Sequence, residues 1–284
     1  MNFFTNASGD LRVGFRVLVF AFLSILTLLV VQLAVGWLGL DSGQPFQAVV
    51  YPLEATGVLG VSALCFRGLE QGSLSRLGLS RRSGFWVGLA GLVAGLLAVD
   101  LIFLAVIRHA GSKIQFSLHP EVFTSKEFLL ALVVFFFAAS LEELLFRGYP
   151  FLALQTLLRR GGAAALLSVL FVAFHPNLVP SPAAAPAIFL AGLFLTQLFV
   201  WSESLWLPVG FHFGWNLAQA VIFPLPGLQP TVVRLEGFDP AASGITLGVE
   251  QSWWAVGLLM ALVILGELAL LKKAPVLGAG RIRT

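Results

Sequence analysis

Apolar runs of bilayer-spanning length recur along this chain of 284 residues, and nothing else in it constrains the fold as strongly. A helix needs about 20 apolar residues to cross the hydrocarbon layer. There, backbone polar groups must pair within the segment or within a closed barrel. Runs of this kind cover about 13–39, 48–66, 84–107, 127–149, 163–179, 184–201, 204–224 and 252–271. The expected fold is all-α, a polytopic transmembrane bundle of about eight membrane helices. Pro176, Pro180, Pro182 and Pro186 crowd the turn between the fifth and sixth runs. Proline ends one helix and delays the next. A re-entrant hairpin is the alternative for that pair.

Composition agrees with this reading and decides the class of partner. Only 11% of residues are charged, against about 25% in a typical soluble domain. The mean hydropathy is +0.93. A net charge of +3 and a pI near 9.4 would suggest nucleic acid in a soluble chain. Here the cations flank apolar runs, so the partner is the lipid bilayer and no nucleic acid is expected. With eight spans and the N-terminus inside, the inner segments carry Arg12, Arg16, Arg67, Arg76, Arg81, Arg82, Arg159, Arg160, Lys272, Lys273, Arg281 and Arg283. The outer segments carry Arg108, Lys113, Lys126 and Arg234. Twelve against four puts both termini in the cytoplasm of a multi-pass cell-membrane protein.

The single cysteine, Cys65, rules out an intrachain disulfide and a Cys-based zinc cage. The first apolar run is too long for a signal-peptide core and lacks a clear cleavage site. The longest loop, 225–251, is too small for a core of its own, and no transporter-like repeat is evident. The chain divides into residues 1–126 with the first three spans, 127–224 with the polar residues of interest, and 225–284 with an outer loop, the last span and a basic tail.

Within the fourth run stands the acidic doublet Glu142-Glu143, with Arg147 one turn later. Each ionisable group inside a membrane helix costs about 2.5–3.5 kcal/mol on insertion scales, so three within six positions need a purpose. Residues four apart share a helix face, so Glu143 and Arg147 form a buried pair or, alternatively, Arg147 snorkels to the inner surface. Glu142 points elsewhere, towards the face of Ala138 and Ala139, where another helix can approach closely. Phe171 and His175 share a face by the same spacing, as do His212 and Asn216, with Gln219 beyond. At about 1.5 Å per residue, Glu142, His175 and His212 lie roughly 12, 18 and 12 Å from the inner ends of their helices. They occupy one layer.

A carboxylate beside a neutral imidazole can position and deprotonate a water. A second His and an amide can stabilise the oxyanion that develops on a carbonyl. Alternatively, Glu142, His175 and His212 could ligate zinc, which lowers the pKa of bound water to about 7. Either arrangement hydrolyses a peptide bond.

Glu142-Glu143-x-x-x-Arg147, Phe171-x-x-x-His175 and His212-x-x-x-Asn216 together resemble the three motifs of the CPBP family, the CAAX-protease and bacteriocin-processing membrane proteins. The resemblance covers about residues 128–223. It implies an intramembrane endopeptidase acting on a membrane-associated peptide or protein. By carry-over, Glu142 and His175 activate water, His212 and Asn216 form the oxyanion hole, and Glu143 and Arg147 support them. It leaves metal-dependent and glutamate-type mechanisms both open.

Two readings from other classes stand beside it. One is a non-proteolytic scaffold or bacteriocin-immunity factor. The other is a proton-coupled transporter in which Glu142, Asp100 and the histidines form a relay. Asp100 and Glu54 are the other acids deep in apolar runs. Glu203 and Glu267 fall near helix ends, and His109 and His119 read as surface residues.

Overall fold

The computed structural model describes residues 11–39, 43–79, 84–110, 115–177, 181–223, 231–236, 238–239, 243 and 245–277. Among the residues used above, Arg81, Arg82, Lys113, Pro180, Arg281 and Arg283 lie outside them. Eight α-helices follow in order: α1 Val13–Gly36, α2 Gln44–Glu70, α3 Gly84–Ala110, α4 Lys126–Phe146, α5 Tyr149–Ala173, α6 Ala184–Ser202, α7 Trp206–Leu217 and α8 Trp253–Leu277. Among the described residues, six stretches are long and apolar enough to cross a membrane. One of them, Lys126–Ala173, is 48 residues long and holds both α4 and α5. This is a helical, multi-pass membrane protein.

The boundaries depart from expectation in three places. First, the segment after the fourth run, expected as an inner loop, is already helical as the start of α5. Its residues Leu152, Ala153, Leu154 and Gln155 are good helix formers. The helix breaks at Arg159, whose φ of 59° and ψ of 170° lie outside the helical region, just before Gly161-Gly162. Second, the seventh run is a short α-helix continued by a single π turn, Ala218–Ile222. Third, an antiparallel two-stranded ribbon supplements the bundle, pairing β1 (Gln115–Leu118) with β2 (Val233–Glu236) in the register Gln115 to Glu236. It ties the segment before α4 to the one after α7.

Two helix pairings set the positions of the polar residues. Ser125 caps α4 by accepting the Phe128 N–H at 3.1 Å, with Glu127 favourably placed in the first turn. At the other end, α4 turns sharply into α5 at Gly148. A Cβ there would fall 2.3 Å from the Leu144 carbonyl oxygen, so only glycine fits. Pro150 in the first turn of α5 then restarts the helix.

The second pairing is α3 against α7, which meet backbone to backbone. A Cβ on Gly95 would lie 2.1 Å from the Phe211 carbonyl oxygen, one on Gly210 2.0 Å from that of Gly88, and one on Gly214 2.2 Å from that of Leu92. This is the small-residue packing that substitutes for a hydrophobic driving force within lipid. It fixes α7, and His212 with it.

The buried apolar side chains form two main clusters. One gathers Phe20, Phe66, Leu144, Tyr149, Phe151 and Phe171 around α1, α2, α4 and α5. The other gathers Phe103, Phe194, Phe211, Trp215, Ile245 and Leu259 around α3, α7 and α8. Helix α6 feeds both, with Ile188 in the first and Leu195 in the second. The polar residues converge at the seam.

Candidate active site

The last turn of α4 presents its two acids differently, as a 100° step requires. Glu143 is fully buried and its Oε1 accepts from Arg147 Nη1 at 3.0 Å. Arg147 is only 1% exposed and also donates from Nη2 to the Gly192 carbonyl at 3.0 Å. Its guanidinium stacks 4.6 Å from the Phe171 ring centre. The snorkelling alternative is therefore corrected: Arg147 has no route to water and is held on three sides.

The pair has a third member that helical spacing alone did not reveal. His212 Nδ1 lies 2.9 Å from the same Glu143 Oε1. A carboxylate already taking one charged donor accepts the second N–H too, so Nδ1 carries the proton. The other ring nitrogen, Nε2, faces Glu142 Oε2 at 3.8 Å.

His175 reaches the same point from a helix end. Helix α5 stops at Ala173 with Phe174 as its C-cap, because Pro176 cannot continue it. The final carbonyls of a helix lack internal partners. The His175 backbone N–H donates to the Val172 carbonyl at 2.9 Å, and ring Nδ1–H donates to the Phe171 carbonyl at 2.7 Å. The shared helix face expected for Phe171 and His175 is thus corrected to a capped terminus, although their rings still stand 4.6 Å apart. A carbonyl can only accept, so the His175 proton also sits on Nδ1. Its Nε2 faces Glu142 Oε2 at 3.7 Å.

Three acceptors thus converge with no donor between them. Two imidazole lone pairs and a carboxylate oxygen share one gap, and Glu142 Oε2 is buried without a hydrogen-bond partner among the described residues. Such an oxygen is costly unless a donor occupies the gap. One water at about 2.8 Å from its partners spans such a separation, but with two hydrogens to give it serves Glu142 and one imidazole, and the other Nε2 is satisfied when its own ring carries a second proton.

For zinc, bonds of about 2.0–2.2 Å place tetrahedral ligand atoms roughly 3.3–3.6 Å apart, slightly closer than the 3.7 and 3.8 Å found here. Among the described residues, no group of three His, Cys, Asp or Glu is disposed to hold a metal ion.

The gap opens into a cavity of about 220 Å³ lined by Glu142, Phe171, His175, His212 and Asn216. Helix α6 contributes Ile188, Ala191 and Leu195 to its apolar wall. Glu54 is buried elsewhere, where its Oε1 accepts from Gln32 of α1 at 2.8 Å. Neither Glu54 nor Asp100 lines the cavity.

One lining residue was not foreseen. Glu250, 9% exposed, stands in the 3₁₀ turn Val249–Gln251 before α8. Its Oε1 accepts from Trp215 Nε1 and, at 2.8 Å, from Gln219 Nε2. The only sequence signal for it is an isolated acid just before the aromatic pair Trp253-Trp254.

Residues 124–218, 95 of the 284, match the family model described as Rce1-like, Type II CAAX prenyl endopeptidase Rce1-like. The matched segment contains all seven motif residues and excludes Glu250. No curated protein and no solved structure matches the chain.

Proposed function

We propose that this chain, whose residues 124–218 match the Rce1-like CAAX prenyl endopeptidase model, is an intramembrane endopeptidase with a glutamate-activated water. The observation that carries the reading is the gap between Glu142 Oε2 and the two imidazole Nε2 atoms at 3.7 and 3.8 Å. A water in that gap donates one hydrogen to Glu142 and the other to His175.

As the water oxygen attacks the scissile carbonyl, Glu142 takes its proton. The carbonyl oxygen becomes an oxyanion. His212 donates to it in its doubly protonated form, in which Nε2 carries a hydrogen in place of its lone pair and the Glu143 carboxylate on Nδ1 compensates the imidazolium charge. The Asn216 amide, one turn along α7, supplies a second donor. The tetrahedral intermediate collapses as the C–N bond breaks, and Glu142 returns its proton to the departing amine. The products are a carboxylate and an amine.

The family supports a protein substrate. Burial of the site within the helices supports one that is membrane-associated. The positive-residue bias supports eight crossings with both termini cytoplasmic. A scaffold reading gives no role to a buried carboxylate oxygen poised between two imidazole nitrogens.

The test is cleavage of a peptide library by the purified protein in lipid nanodiscs, with and without chelator, beside Glu142→Gln. The expected result is chelator-resistant cleavage that Glu142→Gln abolishes without a change in melting. Cleavage undiminished in Glu142→Gln overturns the assignment. Loss with chelator and recovery with zinc replaces the glutamate mechanism with a metal one.

A further inference from the structure

The wall of the cavity carries, besides Glu142, an acid that the hydrolytic mechanism leaves unused. Glu250 reaches the cavity from the turn before α8 and is 91% buried, being 9% exposed. Both partners of its Oε1, Trp215 Nε1 and Gln219 Nε2, can only donate, which fixes that oxygen as an acceptor and orients the carboxyl plane. Gln219 is fixed in turn, since its Oε1 accepts the Val249 N–H at 2.8 Å. The turn is tightly built: a Cβ on Gly248 would fall 2.2 Å from Glu250 Oε2. Among the described residues, no hydrogen bond reaches that Oε2, and Glu250 lines the cavity. The anchored oxygen orients the carboxylate, and the second is left for a ligand.

The cavity's charge balance points the same way. Among the described residues its ionisable lining consists of Glu142, His175, His212 and Glu250, with no Lys or Arg. Arg147 is spent behind the wall on Glu143 and Gly192. An anionic side chain or a free terminal carboxylate near Glu250 would meet repulsion and no partner. A cation would meet a buried, oriented carboxylate oxygen.

Position along α7 gives the reach. Trp215 lies three residues and Gln219 seven beyond His212, roughly 4.5 and 10 Å along the helix. A peptide bound in extended form advances about 3.3 Å per residue. The carboxylate between Trp215 and Gln219 therefore stands one to three residues from the bond being cut.

We propose that Glu250 is a specificity-determining residue that selects a substrate with a cationic side chain, Lys or Arg, within three residues of the scissile bond. This rests on the endopeptidase reading above and adds the chemical class of the substrate. The side chain's aliphatic stem would lie along Leu195, Trp215 and Leu247, and its cationic head would meet Glu250 Oε2.

The experiment takes one peptide that the wild-type protein cleaves and replaces each of the three residues on either side of the cut by norleucine, Lys or Glu. At one position Lys should raise kcat/KM over norleucine by roughly tenfold to hundredfold, the range of a hydrogen bond to a charged group. Glu there should lower it. In Glu250→Gln, which keeps an oxygen for Trp215, the Lys-to-norleucine ratio should fall to about one. Cleavage with no charge preference, or a preference that survives Glu250→Gln, overturns this inference and leaves the endopeptidase reading intact. If the wild-type protein cleaves no peptide, the endopeptidase reading fails and this inference with it. Should Glu250→Gln not fold, the wild-type series decides alone, since equal rates for Lys, norleucine and Glu at every position exclude a carboxylate in contact with substrate.

Discussion

Replacing Glu143 by Gln tests whether the acid one position from the proposed base holds the site together. The side chains differ by one atom's identity, so packing is preserved and charge is not. In the native protein Glu143 Oε1 accepts from Arg147 Nη1 at 3.0 Å and from His212 Nδ1 at 2.9 Å, and all three residues are buried. Gln removes the negative charge and leaves Arg147 a buried cation whose partners, an amide oxygen, the Gly192 carbonyl and the Phe146 and Phe171 rings, are all uncharged. Breaking one side of a buried pair costs about 3–5 kcal/mol. At about 2–4 °C per kcal/mol for a domain of comparable size, the low end of that range lowers Tm by roughly 6–12 °C. Activity should also fall, because the amide no longer dictates which His212 nitrogen carries the proton.

The assay is thermal or detergent unfolding of the purified variant in parallel with Arg147→Met and the double variant. Each single change strands a buried charge. The double change strands none, so its cost should be less than the sum of the singles by about 1–3 kcal/mol. Additivity within about 0.5 kcal/mol would refute the buried pair, as would Glu143→Gln melting and turning over like wild type.

Three further outcomes follow from the same geometry. Asn216→Ala should lower kcat by about 10²–10³ with little change in KM, the signature of a lost oxyanion donor; a selective rise in KM would make Asn216 a substrate-binding group. Gly95→Ala and Gly214→Ala should each cost about 1–3 kcal/mol or more, because the added methyl meets backbone at 2.1 and 2.2 Å; Gly257→Ala, with nothing within 4 Å, should melt no lower than wild type. Reporter fusions at Thr284 and in the 225–251 loop should report opposite sides, the first cytoplasmic, and a C-terminal reporter outside would refute the orientation.

The helices were legible in the sequence because lipid leaves a backbone little choice. The Glu143–Arg147 pair followed from spacing alone. The interruptions were not legible. Arg159 breaks α5 in a left-handed conformation that no single residue type announces. The strands of the ribbon are four residues each and lie far apart in sequence, too short for any alternation to register. The spacings Gly91–Gly95 and Gly210–Gly214 could have announced the α3–α7 contact, but 29 glycines in the chain make any one pair a weak signal. Glu250 was hidden for a different reason: it joins the site only through tertiary packing of the segment before α8 onto Trp215 and Gln219.

These irregularities share a physical cause with the site itself. A continuous helix satisfies its own backbone, and its side chains radiate outward, so three helices alone bring few polar groups to one point. Apart from His212 in mid-α7, the converging residues stand at or near helix irregularities: Glu142 and Glu143 near the end of α4, His175 past the end of α5, Gln219 in the π turn that continues α7 and Glu250 in a 3₁₀ turn. Unpaired backbone within a membrane survives only where protein buries it or a cavity admits water. His175 shows how one residue meets both demands. Its Nδ1–H satisfies the orphaned Phe171 carbonyl, and that same bond fixes the tautomer that aims Nε2 at Glu142. Replacing His175 by Ala would therefore remove a cap worth about 1 kcal/mol as well as a catalytic acceptor. An added imidazole could restore turnover without restoring melting, whereas recovery of both together would show that the cap contributes nothing separable from the chemistry.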